Sequence, residues 1–331
     1  MKNNFLSFYF TKKFFLFLGL LTLIYACKSS DKTNNEIDKP ARVVDVPDFN
    51  ADSAYLFIQE QVDFGPRIPN TNAHNAGGDK IIARLESYGA KVKVQSFEAT
   101  TYDGVTLSLR NIMGSFNPTA KKRILLAAHW DTRPWASKDK EQPTATFDGA
   151  NDGGSGVGVL LEIARKMQES GNPDVGVDLM FFDGEDWGQE GGGRPDTWCL
   201  GSQYWSKNKQ GYAAYYGILL DMVGGKNARF PYEGISTKMA KKVMTKVWKQ
   251  AAEIGYSKYF IPQKEGEIVD DHYYVNTIAK IPMIDILHWE PEFGYFGDWH
   301  HSLRDDMSII DKNTLKAVGQ TVMHVVYNEE P

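Results

Sequence analysis

Five short segments carry side chains that could do chemistry together. They are His129-Trp130-Asp131, Asn151-Asp152-Gly153-Gly154, Asp183-Gly184-Glu185-Asp186, Asp221 at the end of Leu219-Leu220-Asp221, and Trp299-His300-His301. Imidazole nitrogen and carboxylate oxygen are both zinc donors, and a catalytic zinc takes three protein ligands and keeps a fourth position open. A carboxylate left over beside such a site can act as general base or acid. A lone aspartate at a strand end is usually a cap or turn residue. The argument therefore rests on the whole set occurring together. Gly153, Gly154 and Gly156 resemble a phosphate loop only superficially, because no Lys-Ser/Thr follows them. They suit a tight turn behind Asp152.

The groups need elements that bring them to one place. Arg123–Trp130, Val177–Asp183, Gly217–Met222 and Ile281–Leu287 each contain a short continuous apolar run. Such runs predict strands buried on both faces. Between them, Val157, Leu160, Leu161, Ala164 and Met167 fall on one helical face. So do Met244, Val247, Trp248 and Ala251, and then Leu315, Val318, Val322, Val325 and Val326. The alternation predicts a single α/β domain with a twisted, mostly parallel central sheet flanked by helices. In that architecture ligands bind beyond the carboxyl ends of the strands, where three of the five segments lie.

The chain has 331 residues, 42% of them hydrophobic and 24% charged, which excludes a disordered or fibrous chain. With 37 basic against 42 acidic residues there is no excess to attract nucleic acid. Lys2, Lys12 and Lys13 precede an apolar stretch from Phe14 to Tyr25. The stretch is short for a membrane span and suits a secretory signal. It ends in Leu23-Ile24-Tyr25-Ala26-Cys27, which resembles a bacterial lipobox with Cys27 as the lipidated residue. The expected division is a signal peptide over 1–26, a lipidated cysteine and polar tether over 27–47, and a catalytic domain over 48–331. The mature protein is then exported, anchored to a bacterial envelope membrane by lipid alone, and monomeric. Cys199 is the only other cysteine and is expected to be an inert buried thiol.

From His129 onward, the order His-x-Asp, Asp, Glu-Asp, Asp, His resembles the co-catalytic zinc aminopeptidase superfamily. Within it the chain is most similar to bacterial zinc-dependent glutaminyl-peptide cyclotransferases. Ala128–Ala136, Gly149–Arg165, Trp198–Trp205, Gly217–Gly225 and Ile268–His272 carry the likeness, with Asp63–Pro69 and Lys316–Val322 in support. The resemblance implies a zinc-aminopeptidase-like fold with one zinc ion on Asp152, Asp186 and His301. It implies Glu185 as general acid/base and Asp221 with Asp270 as a buried carboxylate pair. Of the tandem histidines, His301 is selected by the spacing to Ser302 and Asp305. Trp299 is expected in the substrate wall, with Trp130, Trp187 and Trp198 as weaker candidates. The implied reaction converts N-terminal glutaminyl residues of peptides or proteins to pyroglutamate with release of ammonia. The alternative is a two-zinc aminopeptidase, with His129 and Asp221 holding the second metal; a non-catalytic peptide-binding lipoprotein is a further alternative. His74, His272, His288 and His324 are read as capping, packing or supporting residues.

Overall fold

Four buried apolar runs form the parallel heart of a six-stranded sheet in the computed structural model, which describes residues 44–331 apart from Gly192. The expected signal peptide over 1–26, lipidated Cys27 and most of the tether lie outside the described residues. Val44 and Val46 already pack against the core, and the Pro47 carbonyl accepts a hydrogen bond from Gln320. The folded body thus begins a few residues ahead of position 48.

In chain order the elements are α1 (Ala51–Asp63), α2 (Asn72–Ser87), β1 (Lys91–Thr100), β2 (Thr106–Phe116), β3 (Arg123–His129), α3 (Gly154–Ser170), β4 (Gly176–Phe182), α4 (Leu200–Lys207), β5 (Tyr216–Asp221), β6 (Phe230–Tyr232), α5 (Gly234–Met239), α6 (Lys241–Glu253), β7 (Phe260–Lys264), α7 (Asp271–Tyr274), β8 (Met283–Leu287) and α8 (Lys312–Tyr327). The main sheet runs β1-β2-β4-β3-β5-β8, and β6 pairs with β7 separately. Strands β4, β3, β5 and β8 are parallel, whereas β1 and β2 add on antiparallel. The sheet is therefore mixed and mostly parallel, as the sequence predicts.

Alternate side chains of a strand point to opposite faces. On β3, Ile124, Leu126 and Ala128 join one apolar cluster with α1, α3 and α8, whereas Leu125 and Ala127 join a second with Trp205 and Val275. Both faces are covered, which explains why the runs are continuous rather than alternating. Helix α3 lies very close to the sheet: a Cβ on Gly156 would meet the Leu220 carbonyl oxygen at 2.2 Å. That approach seats the turn before α3, with Asp152 on it, directly above the ends of β3 and β5.

Candidate active site

His129 is the last residue of β3 and Asp221 the last of β5; Glu185 and Asp186 follow β4, and Asp152 sits on the turn into α3. Gly153 adopts a φ of +74°, which a side chain would strain. Buried carboxylates behind the cleft fix the backbone of those inside it. Asp131 accepts the N–H groups of Glu185 at 3.0 Å and Asp186 at 3.2 Å. Asp305 accepts those of Asn151 at 2.7 Å and Asp152 at 3.0 Å. Burial, with Asp152 nearby, pushes the Asp305 carboxyl up to about 8. Buried Arg67 ties the same turns together by donating to the carbonyls of Trp130, Asp148 and Gly149.

Asp152, Asp186 and His301 converge. His301 Nε2 lies 3.0 Å from Asp186 Oδ1 and 3.5 Å from Asp152 Oδ2. Yet Asp152 Oδ2 and both oxygens of Asp186 are buried without a hydrogen-bond partner. Orphaned carboxylate oxygens around an imidazole nitrogen are the mark of donors aimed at a shared point rather than at each other. Tetrahedral zinc, with bonds of about 2.0–2.1 Å, sets its ligand atoms roughly 3.3 Å apart. The set fits zinc in both chemistry and spacing.

His300 also faces Asp152, with Nε2 at 3.7 Å from Oδ2, and could contribute to a cluster with Asp152 and His301. Hydrogen bonding separates the two histidines. His300 Nδ1 accepts from Lys138 Nζ at 2.6 Å, so the ring's single proton sits on Nε2 and denies that atom to a metal. Burial, with His301 and Lys138 nearby, holds the His300 pKa well below the usual value. His301 Nδ1 instead meets the Glu190 carboxylate at 2.9 Å and donates to it, which frees Nε2 for a metal. His301 has a φ of +53°, a left-handed conformation rare for a side-chain-bearing residue; it lets two consecutive rings, both buried, point into the same site.

The other expected residues fall into two groups. His129 Nε2 contacts Asp152 Oδ1 at 3.0 Å and is hydrogen-bonded to Asp221 Oδ1 at 3.2 Å. Despite burial, Asp131, Asp152 and Asp221 raise the His129 pKa well above its usual value. Burial, reinforced by the charge of Asp270, pushes Asp221 up to about 7. Asp221 Oδ1 is engaged by His129, and Asp270 has a side-chain hydrogen bond with Asp285. Asp221 lies on a strand adjacent to β3 and turns to His129, whereas Asp270 enters from the loop before α7. Asp270 lies within 4.8 Å of Glu185 and Cys199 on one side and of His272 and Asp285 on the other. Burial and the neighbouring carboxylates of Asp270 and Asp186 raise Glu185 well above the usual range.

Asp152, Glu185, Asp186, Asp221, Asp270, His300 and His301 line a cleft of about 620 Å³, together with Trp198, Tyr295, Phe296, Met222 and Ile268. Trp198 lies parallel to the His301 ring, 7° between planes and 6.0 Å between centroids. Trp299 is not among the lining residues. Its neighbour in sequence takes the inward-facing position, and Trp299 packs behind the cleft against His288, in a cluster with Leu287, Trp289 and Phe296. Trp130 is fully buried against His74, and Trp187 donates towards Asp103, so Trp198 alone of the four candidate tryptophans lines the cleft. His74 bonds Asp183 at 2.8 Å and His272 faces Glu233 at 3.1 Å, both in supporting positions. Sequence reasoning missed Glu190 and Lys138 altogether. Glu190 lies in the Gly188–Asp196 loop, whose glycine-rich composition offers no periodicity or motif to single it out.

The model of peptidase family M28 matches residues 111–326. Bacteroides thetaiotaomicron glutaminyl cyclase, solved bound to N-acetylhistamine, is 51% identical, covers 86% of this chain and 100% of its own, and superposes with a TM-score of 0.84. A structure described as a leucine aminopeptidase precursor from Bacteroides thetaiotaomicron VPI-5482 is also 51% identical, covering 87% and 100% with a TM-score of 0.83. The glutaminyl-peptide cyclotransferase of Drosophila melanogaster is 26% identical over 289 residues, 78% of this chain and 76% of that protein. The zinc-suited donor set at the strand ends and these matches agree: the chain belongs to peptidase family M28 and, within it, to the bacterial glutaminyl cyclases.

Proposed function

We infer that this protein is a glutaminyl-peptide cyclotransferase, converting the N-terminal glutaminyl residue of peptides or proteins to pyroglutamate with release of ammonia. The observation that carries the reading is the half-identical, full-length likeness to a solved glutaminyl cyclase, on a cleft that holds Glu185 beside one coherent set of metal donors. Asp152, Asp186 and His301 would hold the zinc ion, which when bound supplies Lewis acidity towards the γ-amide carbonyl. Glu185 projects into the cleft as the acid/base. It takes a proton from the substrate α-amine as that nitrogen bonds to the side-chain carbonyl carbon, Cδ, and returns a proton to the amide nitrogen as the Cδ–N bond to it breaks and ammonia leaves. Its raised pKa suits both halves of that transfer. Asp270, close to Glu185, and Asp221 present buried carboxyl groups to the substrate amine. Trp198, Tyr295 and Phe296 supply apolar walls that keep water from competing with the internal nucleophile. Because the nucleophile belongs to the substrate, holding one conformer contributes much of the rate.

The second reading, a two-metal aminopeptidase, draws on the cluster of His129, Asp152 and Asp221. His129 Nε2 there has Asp221 Oδ1 as a hydrogen-bond partner at 3.2 Å, and the cyclase reading is preferred on the likeness to a solved glutaminyl cyclase. The deciding experiment incubates the protein with a Gln-initiated and an Ala-initiated peptide, following ammonia and product mass. Loss of one ammonia from the Gln peptide alone, abolished by a chelator and by Glu185→Gln, is the expected result. Release of free alanine or glutamine would overturn it. From the leader sequence we further propose export and lipidation at Cys27, which mass spectrometry of the membrane-extracted protein tests.

A further inference from the structure

Cys199 stands at the N-cap of α4 with a φ of +57°, a conformation that suits glycine and that side-chain-bearing residues rarely adopt. The site nevertheless carries a side chain, and that side chain has a specific partner. Cys199 Sγ lies 3.2 Å from Glu185 Oε1. The two backbones are clamped together as well. The Cys199 N–H donates to the Glu185 carbonyl at 2.9 Å, and the Leu200 N–H donates to the Gly184 carbonyl at 3.0 Å. Cys199 is fully buried beside the carboxylates of Glu185 and Asp270, and burial together with those carboxylates raises the thiol well above its usual range. The sulfur therefore keeps its proton, and that proton has Glu185 Oε1 as its acceptor. Glu185 itself lines the cleft, so a contact at Oε1 bears on how its carboxyl group is presented there.

We propose that Cys199 is a positioning residue for Glu185: its neutral thiol donates a hydrogen bond to Oε1 and so presents the other carboxyl oxygen to the substrate amine. The proposal rests on the reading of Glu185 as the acid/base for glutaminyl cyclisation. It assigns Cys199 no contact with substrate and no covalent step. The thiol is buried, as expected, and it has Glu185 within hydrogen-bond distance.

The test pairs spectroscopy with kinetics on the full chain. The infrared difference spectrum of wild type minus Cys199→Ser isolates the Cys199 S–H stretch from that of Cys27. The band is expected at lower wavenumber than a free thiol, moving up in Glu185→Gln, where the acceptor is weaker. A band at the free-thiol position, indifferent to Glu185→Gln, would overturn the proposal whatever the enzyme does. In turnover of a Gln-initiated peptide, Cys199→Ala is expected to lower kcat about tenfold with KM within about twofold. Cys199→Ser, which keeps a donor, is expected to restore most of kcat. Equal kcat in wild type and Cys199→Ala, or equal loss in the Ala and Ser variants at matched melting temperatures, would refute it. If Cys199→Ala fails to fold, the infrared shift decides alone. If wild type releases amino acids instead of ammonia, the cyclase reading falls, while the spectrum still reports on the Cys199–Glu185 contact.

Discussion

Removing the Glu190 carboxylate should loosen the metal without touching any metal donor. Glu190 Oε1 receives His301 Nδ1–H at 2.9 Å and also faces Lys138 at 3.4 Å, while Oε2 faces Arg133 at 3.9 Å. It fixes the tautomer that leaves His301 Nε2 free, and it adds electron density to the ring. Against the effect of burial, His301, Ser137 and Arg133 in turn hold the Glu190 carboxyl far below its ordinary range. Such supporting carboxylates are worth about 10–100-fold in metal affinity, or roughly 1.4–2.7 kcal/mol. Glu190→Gln keeps an acceptor and should sit near the lower figure, and Glu190→Ala near the upper. The assay is competition for zinc against a chromophoric chelator, with thermal melting of each apo-protein as a folding control. His300→Ala serves as the comparison, since His300 Nδ1 is taken by Lys138 and its Nε2 carries the proton. It should weaken zinc far less than His301→Ala. Unchanged affinity in Glu190→Ala, or a His300→Ala loss equal to that of His301→Ala, would refute the tautomer argument.

Three further outcomes are expected. Trp198→Ala, which removes the ring parallel to His301, should raise KM for a Gln-initiated peptide about tenfold by losing roughly 1–1.5 kcal/mol of aromatic contact, and an unaltered KM in steady-state kinetics would count against Trp198 as a wall. Arg67→Ala strands three buried carbonyls and should cost about 3–5 kcal/mol in a urea titration; a change within experimental error would mean water replaces the guanidinium. Glu233 is buried, yet His272 and the N–H groups of Ser236 and Ile235 lower its carboxyl from 4.5 to about 2. A depressed carboxyl stabilises the fold above its unfolded pKa, so the stability gap between wild type and Glu233→Gln should be full above about pH 4.5 and shrink as pH falls towards 2. That gap is on the order of 3 kcal/mol, and a gap that is constant across this range in pH-dependent melting would show that Glu233 acts by shape alone.

The central strands were legible because burial on both faces writes a continuous apolar run, as in Ile124–Ala128 and Leu179–Phe182. The β1–β2 ribbon was not singled out. Its outer strand is largely exposed, and its only cue is the period-2 pattern of Lys91–Val94 with the turn at Asp103-Gly104. Residues at strand ends were legible for the same reason as the strands: Asp152, Asp186, Asp221 and Glu185 all reach the cleft. Their partners were not, because a partner is chosen by three-dimensional packing. Asp221 was expected opposite Asp270 and turns to His129; Trp299 was expected in the wall and lies behind it, with Trp198 from a distant loop at the wall instead. No local pattern marks Glu190 as the residue that orients His301, or Cys199 as the neighbour of Glu185.

The anchoring of Asp152 by Asp305 bridges 153 residues of chain, and that of Asn151 bridges 154. A ribosome delivers these partners at opposite ends of its work on the domain. While the segment around Asp305 is still inside the exit tunnel, the turn bearing Asp152 has strands and helices beneath it but lacks the carboxylate that fixes its backbone, and His301 has yet to emerge. Asp152, Asp186 and His301 therefore stand together only once the chain through His301 has been made. An ion held between Asp152 and His301 would join positions separated by nearly half the length of the protein, so its binding to the folded chain would stabilise the packing of the segments that carry them.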